Sequence, residues 1–207
     1  MKISAIFVIE KYPFCNIIKI DTQQEGKKVK NSIMPKIIPD IQTSIFESTK
    51  KLLEENGYTG LTLRKVAHDC GISVGTIYNY YPNKLILVWK IIENDWNLLY
   101  GTMQEQCRSA DSFLHVLMTV YREIRDFSKD YWTVFSEFSG DNIDNSVISH
   151  HQTYIEDIAD LLKQQEQKFS LSDSDKFLQI IAELILSSAI HNCDESSFRQ
   201  LIEKIYS

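Results

Sequence analysis

Apolar residues recur three and four apart along most of this chain, and that spacing predicts helices almost throughout. Ile41, Ile45, Phe46, Thr49, Leu52 and Leu53 share the inner face of a first helix, which Asp40 caps and Gly57 stops after Asn56. Leu63, Val66 and Ala67 mark a short second helix behind Thr62, an N-cap residue. Cys70-Gly71-Ile72 then turns the chain sharply, because glycine can take the positive φ that ends a helix. Ser73 caps a third short helix in which Ile77 alone faces inward, and Pro82 ends it by forcing its predecessor out of the α region. Asn83 opens a long fourth helix along Leu85, Val88, Trp89, Ile92, Trp96, Leu99 and Met103.

All four prolines lie at or before Pro82, so beyond it only Gly101, Gly140 and polar turns interrupt helices. Phe113, Val116, Leu117, Val120, Tyr121, Ile124 and Phe127 mark one helix. A shorter one carries Tyr131, Trp132, Val134, Phe135 and Phe138 and ends at Ser139-Gly140-Asp141-Asn142. Val147, His151, Tyr154, Ile155, Ile158 and Leu161 share the face of the next. From Asp173 or Ser174 the segment FLQIIAELILSSAI is apolar nearly all round, which demands burial on two sides. A last helix, Glu195 to Tyr206, turns Phe198, Leu201, Ile202 and Ile205 inward. The expectation is an all-α fold: an N-terminal three-helix helix-turn-helix domain over 35–83, then an antiparallel helical bundle over 84–207.

Residues 1–34 do not fit this scheme. Their β-branched and aromatic runs could form a strand or hairpin, but charge interrupts them too often to span a membrane. They also lack the small-residue cleavage site of a signal peptide. They are read as an extension, either disordered or preceding a true start near Met34. The sharper alternative is a basic arm reaching into a minor groove.

Two short helices joined by a glycine turn make a helix-turn-helix, whose second helix enters the major groove of DNA. The third helix carries what such reading requires and little that folding requires. Gly75 allows a close approach, Thr76 can bond phosphate or base, and Asn79 can pair with adenine through its amide. Tyr78 and Tyr80 offer hydroxyls to phosphates, and Lys84 can neutralise one. A plain helical hairpin with ordinary surface tyrosines is the competing reading of the pattern alone.

Residues Ile41 to Trp89 resemble the DNA-binding domain of the TetR (tetracycline-repressor-like) regulators. The resemblance is carried by Glu55-Asn56-Gly57-Tyr58, by Leu61-Thr62-Leu63-Arg64-Lys65-Val66-Ala67, by Cys70 through Tyr81, and by Asn83-Lys84. Tyr81 departs from the family's usual phenylalanine and should fill the same apolar slot. The likeness spans about a quarter of the chain. It implies DNA contacts from Thr62, Arg64, Ser73, Val74, Gly75, Thr76, Tyr78, Asn79, Tyr80 and Lys84.

A net charge of −6 looks wrong for a DNA-binding protein until it is divided along the chain. Residues 1–34 sum to +3, residues 35–90 to +2 and residues 91–207 to −11, so a basic end meets phosphate while an acidic body is held off it. Cys15, Cys70, Cys107 and Cys193 show neither disulfide nor metal spacing, which points to a reducing, cytoplasmic setting. There is no phosphate loop, nucleophile elbow or metalloprotease histidine pair, so the reading is no enzyme, no metal and no cofactor. His150 and His151 are adjacent, hence about 100° apart on a helix, and cannot share one metal.

The body is dense in aromatic residues, and pockets between bundle helices are largely apolar with a few placed polar groups. Trp96, Tyr100, His115, Tyr121, Arg122, Trp132, Phe135, His151 and Tyr154 are the candidate effector contacts, with Asn97 as a further polar one. One recognition helix reads too few base pairs for useful specificity, so a homodimer on a palindromic operator is expected. Phe177, Ile181, Leu184, Ile185, Ser188, Phe198, Leu201, Ile202 and Ile205 are the candidate interface. The functional expectation is a ligand-responsive transcriptional regulator, a repressor that an unknown small molecule releases from double-stranded operator DNA. The alternatives are a ligand-independent DNA-bound organising or protein-recruiting factor, and an enzyme built on the helical body.

Overall fold

The N-terminal half is built of three helices, each with an apolar stripe, and the two short ones have side-chain caps at Thr62 and Ser73. In the computed structural model, which describes residues 41–131, 134, 145–171 and 174–206 (backbone alone for 145–149), they are α1 (Ile41–Gly60), α2 (Leu63–Asp69) and α3 (Val74–Tyr80). Thr62 Oγ1 accepts from the Lys65 N–H at 3.2 Å, and Ser73 Oγ accepts from the Thr76 N–H at 3.0 Å. Gly71 stands at φ 65 between α2 and α3, the value that the turn requires and other residues resist. Ile45, Leu53, Leu61, Leu63, Val66, Ala67, Ile77 and Tyr81 close a small core among the three helices. Gly57 (φ 65, ψ 178) breaks α1 after Asn56 as expected, but the chain resumes one further turn to Gly60.

Asn83 accepts from the Ile86 N–H at 2.9 Å and opens α4 (Lys84–Arg108). Gly101 does not interrupt this helix, which runs five residues past Met103; one glycine costs about 1 kcal/mol, and burial of Trp96 before it and of Met103 and Cys107 after it outweighs that. α5 (Phe113–Asp130) follows, capped by Ser112, then α6 (Asn145–Glu166), α7 (Asp175–Ile190) behind Ser174, and α8 (Glu195–Ile205) behind Asp194. Tyr131 caps the end of α5 instead of starting a separate helix. Val134 is helical and buried, while the rest of the shorter helix expected there lies outside the described residues. So do residues 1–40, including Asp40 and the N-terminal extension.

Within the body α5 is the central element and touches α4, α6, α7 and α8. Val116, Leu117, Met118, Val120 and Tyr121 on it are buried nearly all round. α7 is buried on two sides as its composition demanded, and its own chain supplies both, through α5 and α6. Among the described residues there is no strand, and no helix is long and apolar enough to cross a membrane.

Candidate DNA interface and effector site

α3 offers almost its whole surface to solvent. Of its seven residues only Ile77 is buried, fully so, against the small core. Gly75, Tyr78, Asn79 and Tyr80 are exposed, Val74 and Thr76 half-buried. Tyr78 and Tyr80 leave about half of their surface to water, at 52% and 44%, a costly way to use aromatic residues unless something else covers them. A Cβ added to Gly75 would meet nothing closer than Ser73 Oγ at 3.7 Å, so the fold itself does not demand glycine there. Thr62, Arg64 and Ser73 are also exposed, Thr62 and Ser73 being already engaged as caps. Ser73 and Thr76 hydroxyls lie 2.7 Å apart, which fixes the Thr76 rotamer at the start of the helix.

Two positions differ from simple expectation. Tyr81 fills the apolar slot at 3% exposure, near Phe46, and its hydroxyl also accepts from Gln42 Nε2 at 3.3 Å. Lys84 does not stand free toward solvent. Its ammonium donates to the Tyr58 carbonyl at 2.9 Å and sits 4.1 Å from the centre of the Tyr58 ring. The lysine thereby clasps the last turn of α1 to the first turn of α4.

The nine expected effector contacts separate into groups. Trp96 and Tyr154 meet between α4 and α6, their ring centres 4.1 Å apart, with Phe127 of α5 at 5.7 Å from Trp96. Trp96 Nε1 donates to Asp157 Oδ2 at 2.9 Å, and Asp157 is 5% exposed. The Tyr154 hydroxyl is buried with no hydrogen-bond partner among the described residues, and burial pushes its pKa above the usual value, with Glu93 and Asp157 adding to the effect. His150 stacks on Trp89 at 4.5 Å, and burial lowers its pKa. Tyr121 belongs elsewhere: it is fully buried and stacked on Phe198 of α8 at 4.1 Å. His115 and Arg122 line a shallow surface pocket of about 320 Å³ with Asp111, Met118 and Arg199, and Arg122 is ion-paired with Glu195 at 2.5 Å. His151 faces Glu183 of α7 at 3.6 Å. Tyr100 is half-buried and Asn97 exposed, while Trp132 and Phe135 lie outside the described residues.

Asp157 was missed by the sequence reading, although a signal existed. It stands three residues after Tyr154 and four before Leu161, on the inward stripe where a carboxylate is out of place. Of the expected partner-facing residues, Ile181, Ile185, Phe198 and Ile202 are spent in the chain's own core at 1% exposure or less. Apolar residues left outward on α7 and α8 are Ile180 at 64%, Leu201 at 40% and Ile205 at 37%, with Phe177, Leu184 and Ser188 half-covered.

The pattern described as "Bacterial regulatory proteins, tetR family" matches residues 45–88, the segment that holds this helix-turn-helix. That segment matches the TetR-family DNA-binding domain, and the chain is similar to HTH-type transcriptional regulators. A Staphylococcus aureus HTH-type transcriptional regulator is 21% identical over 168 residues, covering 78% of this chain and 90% of the relative. An uncharacterized HTH-type transcriptional regulator of Haemophilus influenzae is 24% identical over 97 residues, so the chain spans 52% of that relative's length. Among solved structures, Thermus thermophilus FadR, a TetR-family transcriptional repressor in complex with lauroyl-CoA, superposes with a TM-score of 0.58 at 17% identity. That match covers 79% of this chain and 91% of FadR, and shows a shared fold of a helix-turn-helix followed by a helical body.

Proposed function

We propose that this chain is a TetR-family regulator that represses transcription as a homodimer on a palindromic operator and leaves DNA when a small molecule occupies its body. The division of labour follows the expected boundaries, with 35–83 binding DNA and 84–207 sensing and dimerising. The observation that carries the reading is α4. It is one unbroken helix that begins beside the recognition helix at Asn83 and carries Trp89 and Trp96 into the buried aromatic cluster. A ligand entering among Trp96, Phe127 and Tyr154 would displace that same helix. It acts only by its differential affinity for the two arrangements, and about 5.5 kcal/mol is needed to move 1:99 to 99:1.

Base reading falls to Asn79 and Thr76, backbone contact to Tyr78, Tyr80 and Arg64, with Val74 and Gly75 allowing close approach. Ile180, Leu184, Leu201 and Ile205 are the apolar residues available to a second copy. The FadR complex with lauroyl-CoA supports a largely apolar effector, and acyl thioesters are the first class to assay. The test is to map operators genome-wide, read the neighbouring genes, and measure whether their substrates, and lauroyl-CoA, release the protein from that DNA. Release by one of them with a matching rise in melting temperature is the expected result. Tight operator binding that no such compound alters would favour a ligand-independent organising factor.

A further inference from the structure

One carboxylate joins three elements of this chain. Asp95 lies midway along α4 with its side chain 20% exposed. On one oxygen it receives Lys50 Nζ of α1 at 2.6 Å, with Asn94 Nδ2 at 3.3 Å from the same atom. On its other oxygen it accepts the hydroxyl of Tyr131, the residue that caps the end of α5, at 2.5 Å. Tyr131 is buried, and its pKa is raised by burial first and by Asp95 second, so the phenol remains a donor. The link also reaches the aromatic cluster, because Phe127 lies 5.2 Å from Tyr131 and 5.7 Å from Trp96.

A lysine–aspartate pair in open water contributes little, since solvent screens it and the lysine loses rotamer freedom. Here the carboxylate is four-fifths covered and its second oxygen is held by a buried phenol. Asp95 therefore cannot follow Lys50 without giving up Tyr131, nor follow Tyr131 without giving up Lys50. Lys50 and Tyr131 come from the two functional halves, α1 beside the recognition helix and α5 at the centre of the body.

We infer that Asp95 is a positioning residue for DNA binding, passing the position of the α5 end through Tyr131 to Lys50 and so to α1. A displacement of Tyr131 by anything seated in the body loosens the DNA-binding half without touching it. This rests on the proposal that the body controls DNA release, and supplies its physical connection.

The test uses amide hydrogen exchange on the full chain, with neither DNA nor effector present. Tyr131→Phe, a change confined to the body, is expected to speed exchange in the α1 segment around Lys50 by about three- to ten-fold, the loss of one hydrogen bond, while α7 and α8 are unchanged. Lys50→Met should do the same, and the two together should give less than the product of their separate effects. In the Asp95→Ala background neither change should add more. Unaltered α1 exchange in Tyr131→Phe, acceleration in all helices alike, or two effects that multiply simply with and without Asp95, would each overturn the inference. Because the readout needs no ligand, failure of every compound to release DNA would remove the effector reading and leave the exchange result standing.

Discussion

α3 and α7 show opposite ways of using a helix. α3 buries one residue in seven and leaves two tyrosines, an asparagine and a glycine outside. α7 buries Leu178, Ile181, Ala182, Ile185, Leu186 and Ala189 and is clamped between α5 and α6. A helix anchored by one side chain has most of its positions free for chemistry, so residues with no folding role betray a function. α7 has six of its sixteen positions fully buried against two neighbours, all of them apolar, so those residues carry no mark beyond packing. The recognition surface can therefore be read residue by residue, whereas the body yields only groups.

That contrast is broken most severely at its single anchor. Ile77→Ala should cost about 2–5 kcal/mol of the stability of the DNA-binding half, by lost transfer energy plus the cavity left behind. Hydrogen exchange in α2 and α3 should rise far more than in α7. If both halves melt together by the same amount, the small core is not separable from the large one.

Asn79→Ala should do the reverse, leaving melting within about 0.5 kcal/mol, as for other surface changes. It should relax base preference by about 1–3 kcal/mol in binding to operator variants. Equal losses on operator and random DNA would remove Asn79 from base reading.

Asp194 and Ser73 cap their helices in the same manner, but only Ser73 stands at the recognition helix. Ser73→Ala should cost about 1 kcal/mol in stability and weaken DNA binding besides, because the Thr76 rotamer is released. A stability loss with DNA affinity intact would reduce Ser73 to a cap alone.

The body should show a mild acid sensitivity that the recognition helix, which has no histidine, lacks. His150 has its pKa lowered by burial against Trp89, so the unfolded chain binds its proton more readily than the folded one. Stability from this group is present above the ordinary histidine value and is lost as pH falls below about 6.5. His150→Gln should flatten that part of the stability–pH curve, and an unchanged curve would assign the sensitivity elsewhere.

The smallest effect concerns Lys84. If it reaches phosphate while clasping Tyr58, Lys84→Ala lowers the slope of log affinity against log salt by about one unit, and an unchanged slope leaves only the clasp.

The sequence by itself determined the caps at Thr62, Ser73 and Asn83, the left-handed turn at Gly71, the inward Ile77 and the outward tyrosines. Those are short-range facts: a hydroxyl or amide reaches the N–H three residues on, and a φ value depends on one residue. Tertiary structure decided what lies between distant residues. It spent Ile181 and Ile185 inside the chain and left Ile180 outside, because apolar residues on nearly every side of a helix do not say which of them a neighbour will cover. It also turned Lys84 onto Tyr58, 26 positions away, hid Asp157 beneath Trp96 across 61, and closed Asp95 between Lys50 and Tyr131 across 45 and 36. A charged side chain satisfied by its neighbour in the next turn and one satisfied across the fold look the same in one dimension, and only the way the helices cross decides between them.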